Sequence, residues 1–289
     1  MTTIETPTIA VFGATGKQGG AVIDALLPTG ARVRALVRTL GSERAEALAE
    51  RGAEVVYADV EDPASLAPAL TGADAFFFIT TPANPHGIEG ETEMGIALAD
   101  AAALAGVGHV VYSSVGGAER HTGIPHFESK RRVEEHLETL DLRATFVRPV
   151  LFMDNFGLRG VSVEDGQVVV RQVVPEEVPM QMVAVRDIGL VAAAVLQGAD
   201  VTGGAIEIAG DERAGNEIAA AFGLHLGLPA RYEALPIGVL GGSFDATAMF
   251  EWFAKPPSYQ ADFAATRGLD PDVLDLPGWL AATAWKPGE

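Results

Sequence analysis

Short runs of apolar and β-branched residues alternate with longer segments of helical period along the first 150 residues of the chain. Strands that recur at this spacing, with a helix between successive strands, are typical of a parallel sheet with crossover connections. The apolar runs predict strands at Thr8–Phe12, Arg32–Val37, Glu54–Ala58, Ala75–Ile79, His109–Ser113 and Ala144–Arg148. The intervening segments predict helices at Gln18–Leu27, Glu43–Arg51, Pro63–Leu70, Glu91–Ala105 and Glu128–Leu140. The pattern therefore predicts a doubly wound parallel sheet of the α/β class.

After Arg148 this regular alternation stops. Shorter strands and helices are predicted there, at Gln167–Val173, Ala205–Ala209, Ile188–Gln197, Asn216–Leu226 and Val273–Ala284. No repeat, low-complexity tract or linker separates the two parts of the chain. We therefore expect a smaller α+β lobe over residues 151–289, not a separable domain, that packs on the carboxyl edge of the sheet, where open α/β sheets bind ligands.

The charge of the chain is strongly negative, with 20 Lys and Arg against 39 Asp and Glu and a formal net charge of −19. Such a surface repels nucleic acid, whose binding depends on neutralising phosphates. The absence of cysteine excludes disulfides, thiolate nucleophiles and cysteine-bound metals. Met1–Glu5 lacks the basic start of a signal peptide, and no stretch approaches about 18 uncharged apolar residues. We expect no nucleic-acid partner, no membrane span and a cytoplasmic location.

A glycine-rich segment, Gly13-Ala14-Thr15-Gly16-Lys17-Gln18-Gly19-Gly20, follows the first predicted strand and opens the first predicted helix. In a G-x-x-G-x-x-G spacing Gly13 forms the tight turn, Gly16 lets the backbone approach a pyrophosphate, and Gly19 removes a side chain where helix meets strand. The helix N-terminus offers unpaired N–H groups to the phosphates. The segment predicts a dinucleotide site of the Rossmann type, and a purely structural turn is the alternative. Its candidate binding residues are Gly13, Thr15, Gly16, Lys17, Gln18 and Gly19.

The end of the second predicted strand indicates which dinucleotide binds. At that point of this fold a carboxylate accepts a hydrogen bond from the ribose 2′-hydroxyl of NAD, whereas a guanidinium pairs with the 2′-phosphate of NADP. Arg38 follows the strand, and no acidic residue occurs before Glu43. The sequence therefore favours NADP(H) over NAD(H), with Arg38 as the first candidate for the 2′-phosphate and Lys17 as the second. The alternative for each is a solvent-exposed cation that binds no ligand.

Further motifs occur in order along residues 8–210 and carry a resemblance to a known family. They are GATGKQGG at 13–20, Val37-Arg38, Ala58-Asp59, Val111-Tyr112-Ser113-Ser114, His126-Phe127-x-x-Lys130, Arg148-Pro149, Phe152-Met153-Asp154-Asn155-Phe156 and Val185-Arg186-Asp187-Ile188-Gly189. With these motifs the chain resembles the NmrA-like proteins, an atypical branch of the extended short-chain dehydrogenase/reductase superfamily. The resemblance implies an NADP-binding Rossmann domain over residues 1–150 and a small-molecule pocket under the lobe formed by residues 151–289.

The resemblance also implies roles for individual positions. Asp59 and Val60 would lie by the adenine, and Lys130 would hydrogen-bond the nicotinamide ribose. Other positions would line the middle of the cofactor and its nicotinamide end, namely Thr80, Thr81 and Pro82 for the middle and Phe152 and Asn155 for the nicotinamide. For Lys130 a plainer interpretation stays open, because neighbouring charged residues on its predicted helix are typical of a solvated face.

The catalytic residues of the wider superfamily are not intact in this chain. Typical members use Tyr-x-x-x-Lys, in which the tyrosine donates a proton while hydride leaves the cofactor. His126 stands at the tyrosine position, four residues before Lys130. An imidazole can donate a proton near neutral pH, so His126 is a candidate acid or substrate anchor, and a polar residue lining the pocket is the alternative. Ser114 is the candidate for the serine partner, although a slightly later position would be Val115 or Gly116.

Two functions are compatible with these residues. The first is an NADPH-dependent reductase of a small carbonyl, quinone or conjugated enone, with His126, Lys130 and Ser114 as candidate catalytic residues. The second is a non-catalytic NADPH/NADP sensor that acts through a protein partner. A metal site is not expected, because the histidines are scattered without ligand spacing.

Overall fold

The structure, a computed structural model, describes residues 6–157 and 160–287, so Met1–Glu5 lie outside the described residues. Its centre is a seven-stranded sheet in which every neighbouring pair of strands is parallel. Its strands are β1 (Thr8–Phe12), β2 (Arg32–Val37), β3 (Glu54–Tyr57), β4 (Ala75–Ile79), β5 (His109–Ser113), β6 (Arg143–Pro149) and β11 (Ala205–Ile208). Their order in space is β11-β6-β5-β4-β1-β2-β3. The predicted doubly wound α/β sheet is confirmed.

Helices cover both faces of this sheet. They are α1 (Lys17–Leu26), α2 (Glu43–Glu50), α3 (Leu66–Leu70), α4 (Gly87–Ala105), α5 (Pro125–Thr139) and α6 (Val185–Leu196). Along β4, Phe77 belongs to the hydrophobic core on one face, while Phe76 and Phe78 belong to the core on the other. A strand buried on both faces carries apolar residues without alternation, which is why β4 reads as a continuous apolar run.

Three helices begin three or four residues earlier than the sequence pattern predicts, and one of them, α6, begins at Val185 instead of Ile188. Helix α4 begins at Gly87 instead of Glu91, and α5 begins at Pro125 instead of Glu128. Proline suits the first helical position because its fixed φ matches the helix and its missing N–H needs no partner there. As a consequence His126 lies inside the first turn of α5.

The C-terminal half adds two small sheets and four helices to the described fold. One sheet joins β12 (Asp211–Arg213), β10 (Met180–Val183) and β7 (Leu151–Phe152), and the other joins β13 (Ala230–Ala234), β9 (Gln167–Gln172) and β8 (Val161–Glu164). The helices are α7 (Gly215–Leu226), α8 (Phe244–Phe253), α9 (Phe263–Leu269) and α10 (Leu276–Thr283). Because β11 comes from this half and pairs with β6, the two parts of the chain share one sheet. The boundary near residue 150 stays a prediction.

The strand order places the candidate site. Strands β1 and β4 are neighbours, and the chain proceeds from them in opposite directions across the sheet. Open α/β sheets bind ligands at this switch point, outside the carboxyl ends of the strands. The loops after β1, β4 and β5 therefore meet at one edge. Among the described helices, none is both long and apolar enough to cross a membrane.

Candidate active site

The glycine-rich segment forms a tight turn between β1 and α1. Gly13 has a positive φ of 74°, and its carbonyl oxygen accepts a 2.9 Å hydrogen bond from Gly16 N–H. A Cβ atom at Gly19 would lie 2.3 Å from that same oxygen, whereas a Cβ atom at Gly20 would lie 3.7 Å from Ala14 O. The backbone therefore excludes a side chain at Gly19 and tolerates one at Gly20. The strand–turn–helix arrangement predicted from the spacing is confirmed.

The first turn of α1 presents backbone N–H groups to an anion. Its N-cap residue, Gly16, makes no side-chain cap, and the first turn contains no acidic residue. The first N–H groups of a helix have no intrahelical acceptor, so this end carries partial positive charge. Thr15, Gly16 and Lys17 are exposed, whereas Gln18 is buried and its Oε1 accepts a 2.6 Å hydrogen bond from Ser113 Oγ. The Gln18 side chain therefore ties the loop to β5 and leaves its backbone N–H for a ligand.

Cationic side chains occur around this loop. Lys17 is the first residue of α1, and Arg38 directly follows β2; both are exposed, and neither forms an ion pair within the described part of the chain. A third cation, Arg44 in the first turn of α2, donates from Nη1 to Thr15 O at 3.4 Å. Sequence reasoning missed Arg44, although it stands only six residues after Arg38.

The positions assigned to the adenine and to the middle of the cofactor lie on the loops after β3 and β4. Asp59 Oδ1 accepts a 3.1 Å hydrogen bond from Glu61 N–H, which shapes the turn after β3. Val60 is partly buried, while Thr81 and Pro82 are exposed. Both loops follow strands of one parallel sheet, so they emerge at the edge where the glycine-rich turn lies.

Lys130 lies in a buried polar network. Its Nζ is 2.9 Å from Glu91 Oε1 and donates to Thr80 O at 3.1 Å and to Thr80 Oγ1 at 3.3 Å. The Glu91 side chain is 0% exposed and also accepts hydrogen bonds from Thr80 Oγ1 at 3.1 Å and from Ser129 Oγ at 2.6 Å. Burial holds the pKa of the Tyr112 phenol, 2.9 Å from Thr80 Oγ1, well above its usual value of 10. The three N–H groups of the ammonium have partners within the protein, and a buried carboxylate balances its charge.

These contacts decide one alternative and leave another open. Lys130 is 8% exposed, so the interpretation that it stands on a solvated charged face is wrong. Its hydrogen bond to a nicotinamide ribose stays a prediction. Sequence reasoning did not single out Glu91, because α4 also carries the exposed acidic residues Glu89, Glu93 and Asp100.

Ser114 is buried at the end of β5, and its Oγ has no hydrogen-bond partner among the described residues. A buried hydroxyl without a partner is unfavourable by about 1–3 kcal/mol. A ligand at the carboxyl edge of the sheet can supply the missing partner. Ser113 has no such need, because it donates to Gln18.

His126 is bonded to a residue far away in the sequence. Its Nδ1 lies 2.7 Å from Asp245 Oδ1, and its backbone N–H donates to the same oxygen at 3.0 Å. The imidazole also meets the Phe127 ring edge-on, with 4.8 Å between the centroids. Asp245, in the first turn of α8, is a second residue that sequence reasoning missed, because 119 positions separate it from His126.

A cavity of about 640 Å³ lies among β7, β9, β13 and α8. Phe152 and Asn155, the positions assigned to the nicotinamide end, line it. His126, Lys130 and Ser114 are not among its described lining residues. The structure therefore brings two predicted positions to the cavity and places the three candidate catalytic side chains elsewhere.

Most residues that line the cavity are apolar, and the polar ones are largely occupied. Arg171 is paired with two carboxylates. The Tyr232 hydroxyl donates to a backbone carbonyl at 2.7 Å, and burial raises the pKa of this phenol above its usual 10. Asn155 and Gln172 are the remaining polar side chains on the described lining. Neither of them titrates, so the lining suits an apolar ligand with few polar groups.

A model of the NmrA-like family matches residues 5–272 of the chain. The chain belongs to the NmrA-like family. The resemblance found in its motifs is therefore confirmed. An NAD(P)H azoreductase from Xenophilus azovorans is 30% identical to this NmrA-like chain over 264 residues, which cover 88% of this chain and 89% of the azoreductase. Several other curated relatives are longer, and the chain spans about half of their length.

Solved structures show the same fold as this NmrA-like chain. The triphenylmethane reductase of Citrobacter sp., complexed with NADP(H), superposes with a TM-score of 0.81 at 24% identity and covers 95% of this chain and 99% of its own. NmrA, a negative transcriptional regulator, superposes with a TM-score of 0.81 at 21% identity, covering 98% and 99%. At these identities the likeness concerns the fold.

Proposed function

We propose that this NmrA-like protein is an NADPH-dependent reductase that passes hydride to an apolar, conjugated small molecule such as a quinone, an enone or a dye. The cavity of about 640 Å³ carries the proposal, because it is large, mostly apolar and lined by Phe152 and Asn155. A protein that only senses the cofactor needs no separate cavity for a second small molecule. The names of two relatives, an azoreductase and a triphenylmethane reductase, support an acceptor of this kind. A cytoplasmic location is part of the same proposal.

The residues at the carboxyl edge of the sheet fit a dinucleotide. The first turn of α1 has no side-chain cap, so its free N–H groups suit the diphosphate. The absence of a side chain at Gly19 permits the tight turn that leaves these N–H groups exposed. The unpartnered Ser114 hydroxyl suits a ligand at the same edge. We assign the adenine to Asp59 and Val60. When bound, the reduced cofactor supplies hydride from C4 of its nicotinamide.

The preference for NADPH over NADH rests on the charges around the 2′-position. Arg38 is exposed and unpaired within the described residues, and Arg44 reaches the glycine-rich turn through Thr15 O. No carboxylate follows β2 before Glu43. In a protein of net charge −19, a cofactor that carries a 2′-phosphate in addition to its diphosphate needs such local cations.

The cavity also indicates how the acceptor obtains its proton. The Tyr232 hydroxyl donates its hydrogen bond to a backbone carbonyl, and Arg171 forms ion pairs with two carboxylates. Neither side chain is therefore available to donate a proton to the acceptor. Quinones and cationic dyes can be protonated by water, or need no proton, after hydride arrives. A simple ketone needs a proton donor in the transition state. We therefore assign conjugated acceptors to this cavity and exclude unactivated ketones.

A turnover experiment tests the proposal. Purified protein is mixed with NADPH and, in separate reactions, a quinone, a triphenylmethane dye, an azo dye and a simple ketone, while the absorbance of reduced nicotinamide is followed. We expect loss of absorbance with a conjugated acceptor and none with the ketone. Binding of NADPH without turnover of any acceptor would contradict the reductase.

Two neighbouring glycines provide matched variants for the cofactor site. Gly19→Ala places a methyl group 2.3 Å from Gly13 O, whereas Gly20→Ala makes an ordinary contact of 3.7 Å. We expect Gly19→Ala to weaken NADPH binding, because the turn that presents N–H groups to the diphosphate must shift, and Gly20→Ala to bind as the unchanged protein does. Calorimetric titration measures both. If both variants fold and bind NADPH with equal affinity, the cofactor does not bind at this turn.

A further inference from the structure

Helix α8 forms one wall of the cavity through Ala246, Met249, Phe250 and Phe253. Its C-terminal end is held by aromatic packing, with the Trp252 ring 5.6 Å from that of Phe127. Its N-terminal end is held differently. Within the described residues, Asp245 is the only side chain of α8 that forms a hydrogen bond outside the helix.

The segment before α8 does not fix the direction of the helix. Gly241 and Gly242 both have left-handed φ values, of 64° and 79°, and no atom lies within 4 Å of a Cβ built on either. Ile237, Val239 and Phe244 are 42%, 54% and 73% exposed, so this segment makes little apolar contact with the rest of the protein. Segments with few buried contacts open at low free energy. Ala248 and Met249 pack against the hydrophobic core, so within the described residues Asp245 supplies the polar contact that anchors the N-terminal end of α8.

The contact made by Asp245 is compact and directional. One carboxylate oxygen accepts both the backbone N–H and the ring Nδ1 of His126, at 3.0 Å and 2.7 Å. Both bonds lie at the N-terminus of α5, where the helix dipole favours a negative charge. The side chains of His126 and Asp245 are only 19% and 32% exposed, which limits competition by water. A charge-assisted hydrogen bond in such a place is among the stronger polar contacts of a protein.

We propose that Asp245 and His126 form a latch that holds α8 against α5 and so sets the shape of the acceptor cavity. Asp245 is a positioning residue for the acceptor, acting through α8, and His126 is the anchor of the latch. This inference rests on the proposed reductase function. It gives the superfamily's tyrosine position a new use, since the side chain there fastens the wall of the cavity.

The latch explains where His126 lies. A proton donor must reach the acceptor, whereas His126 is not among the described residues that line the cavity. Its Nδ1 is engaged with Asp245, and its ring packs on Phe127. Both contacts hold the imidazole between α5 and α8.

Four variants separate the latch from proton donation: Asp245→Ala, His126→Ala, His126→Asn and Asp275→Ala. The amide of asparagine can donate to Asp245 from nearly the position of Nδ1, but it cannot titrate. Asp275 caps α10 by accepting from Gly278 N–H and does not line the cavity in the described structure, so its variant controls for a general loss of stability.

We expect Asp245→Ala and His126→Ala to raise KM for a bulky acceptor by about tenfold, the effect of losing one charge-assisted hydrogen bond, with kcat little changed. His126→Asn and Asp275→Ala should keep the KM of the unchanged protein, and all four should bind NADPH normally. Hydrogen–deuterium exchange gives a readout that needs no turnover. Amides of residues 243–253 should exchange about tenfold faster in Asp245→Ala than in the unchanged protein or in Asp275→Ala.

Two results would overturn the latch. A loss of kcat of about 100-fold or more in His126→Asn would make His126 the proton donor. Unchanged exchange over residues 243–253 in Asp245→Ala would show that α8 is held without Asp245. If the unchanged protein binds NADPH but reduces no acceptor, the proposed function fails, and the exchange experiment still decides the latch.

Discussion

The ion pair between Glu91 and Lys130 predicts a large and asymmetric response to substitution. Glu91 is 0% exposed and Lys130 has a side chain 10% exposed, so both charges are largely removed from water. Lys130→Met leaves the carboxylate buried without its counter-ion. Glu91→Gln combined with Lys130→Met removes both charges together. We expect the single substitution to lower the free energy of unfolding by about 3–5 kcal/mol and the double substitution to recover most of that loss.

The stability of the Lys130→Met variant should depend on pH through Glu91. Without Lys130, Glu91 keeps its donors Thr80 Oγ1 and Ser129 Oγ but loses the positive charge. Burial without a counter-ion disfavours the ionised carboxylate relative to the neutral acid. The folded variant is therefore favoured at low pH, where the neutral acid can form, and loses stability as pH rises. The defect of Lys130→Met should therefore be smaller at pH 5 than at pH 8.

Urea unfolding at these two pH values measures the effect, and thermal unfolding provides a second reading. For a chain of 289 residues, 3–5 kcal/mol corresponds to a melting temperature lower by about 5–8 °C. The matched control is Arg132→Met on the same helix, whose partner Glu89 is 73% exposed, and it should lose less than about 1 kcal/mol. If Lys130→Met is as stable as Arg132→Met, or if the double variant is no more stable than the single, the reasoning is refuted.

Two further predictions concern pH and cofactor choice. Burial raises the pKa of Asp187 from 3.8 to about 7, and it also raises the pKa of the neighbouring Asp270. The protonated pair therefore contributes stability below about pH 4, and this contribution is lost as pH rises through 7. The unfolding free energy of Asp187→Asn relative to the unchanged protein should shift in favour of the variant by about 2–4 kcal/mol between pH 4 and 8, and a constant difference would contradict this. Arg38→Ala should weaken NADPH binding by about 1.5–3 kcal/mol and leave NADH binding unaltered, with Arg44→Ala acting in the same direction; calorimetric titration with both cofactors measures this, and equal losses for the two would move the 2′-phosphate elsewhere.

The parallel sheet could be predicted from the sequence because its signals are local. Strands β1, β4 and β5 are short apolar runs that are buried along almost their whole length. The glycine spacing depends only on the turn after β1. In the C-terminal half the predicted strands at Gln167–Val173 and Ala205–Ala209 correspond to β9 and β11, whereas β7, β8, β10, β12 and β13 were missed. Strand β7 has two residues and β12 has three, so their pairing depends on tertiary contacts that leave no periodic pattern.

The candidate site was predictable only in part, for a related reason. Phe152 and Asn155 line the cavity, and their contact with the nicotinamide stays a prediction. Glu91 and Asp245 were missed because each acts through a contact with a residue of another helix. Glu91 pairs with Lys130, and Asp245 pairs with His126. Charged residues in helices are usually solvated, and no local signal distinguishes a buried carboxylate from an exposed one.

The transfer of hydride to a carbon acceptor is the central claim, and isotope transfer tests it most directly. The protein is incubated with NADPH that carries deuterium at C4 of the nicotinamide and with a triphenylmethane dye, whose reduced form keeps a hydride on its central carbon. Mass spectrometry of the bleached dye should show one deuterium that does not exchange with water. The experiment is run twice, with the deuterium in each of the two hydrogen positions at C4. Bleached dye that contains no deuterium in either experiment would contradict the account, and so would the absence of bleaching by protein that binds NADPH.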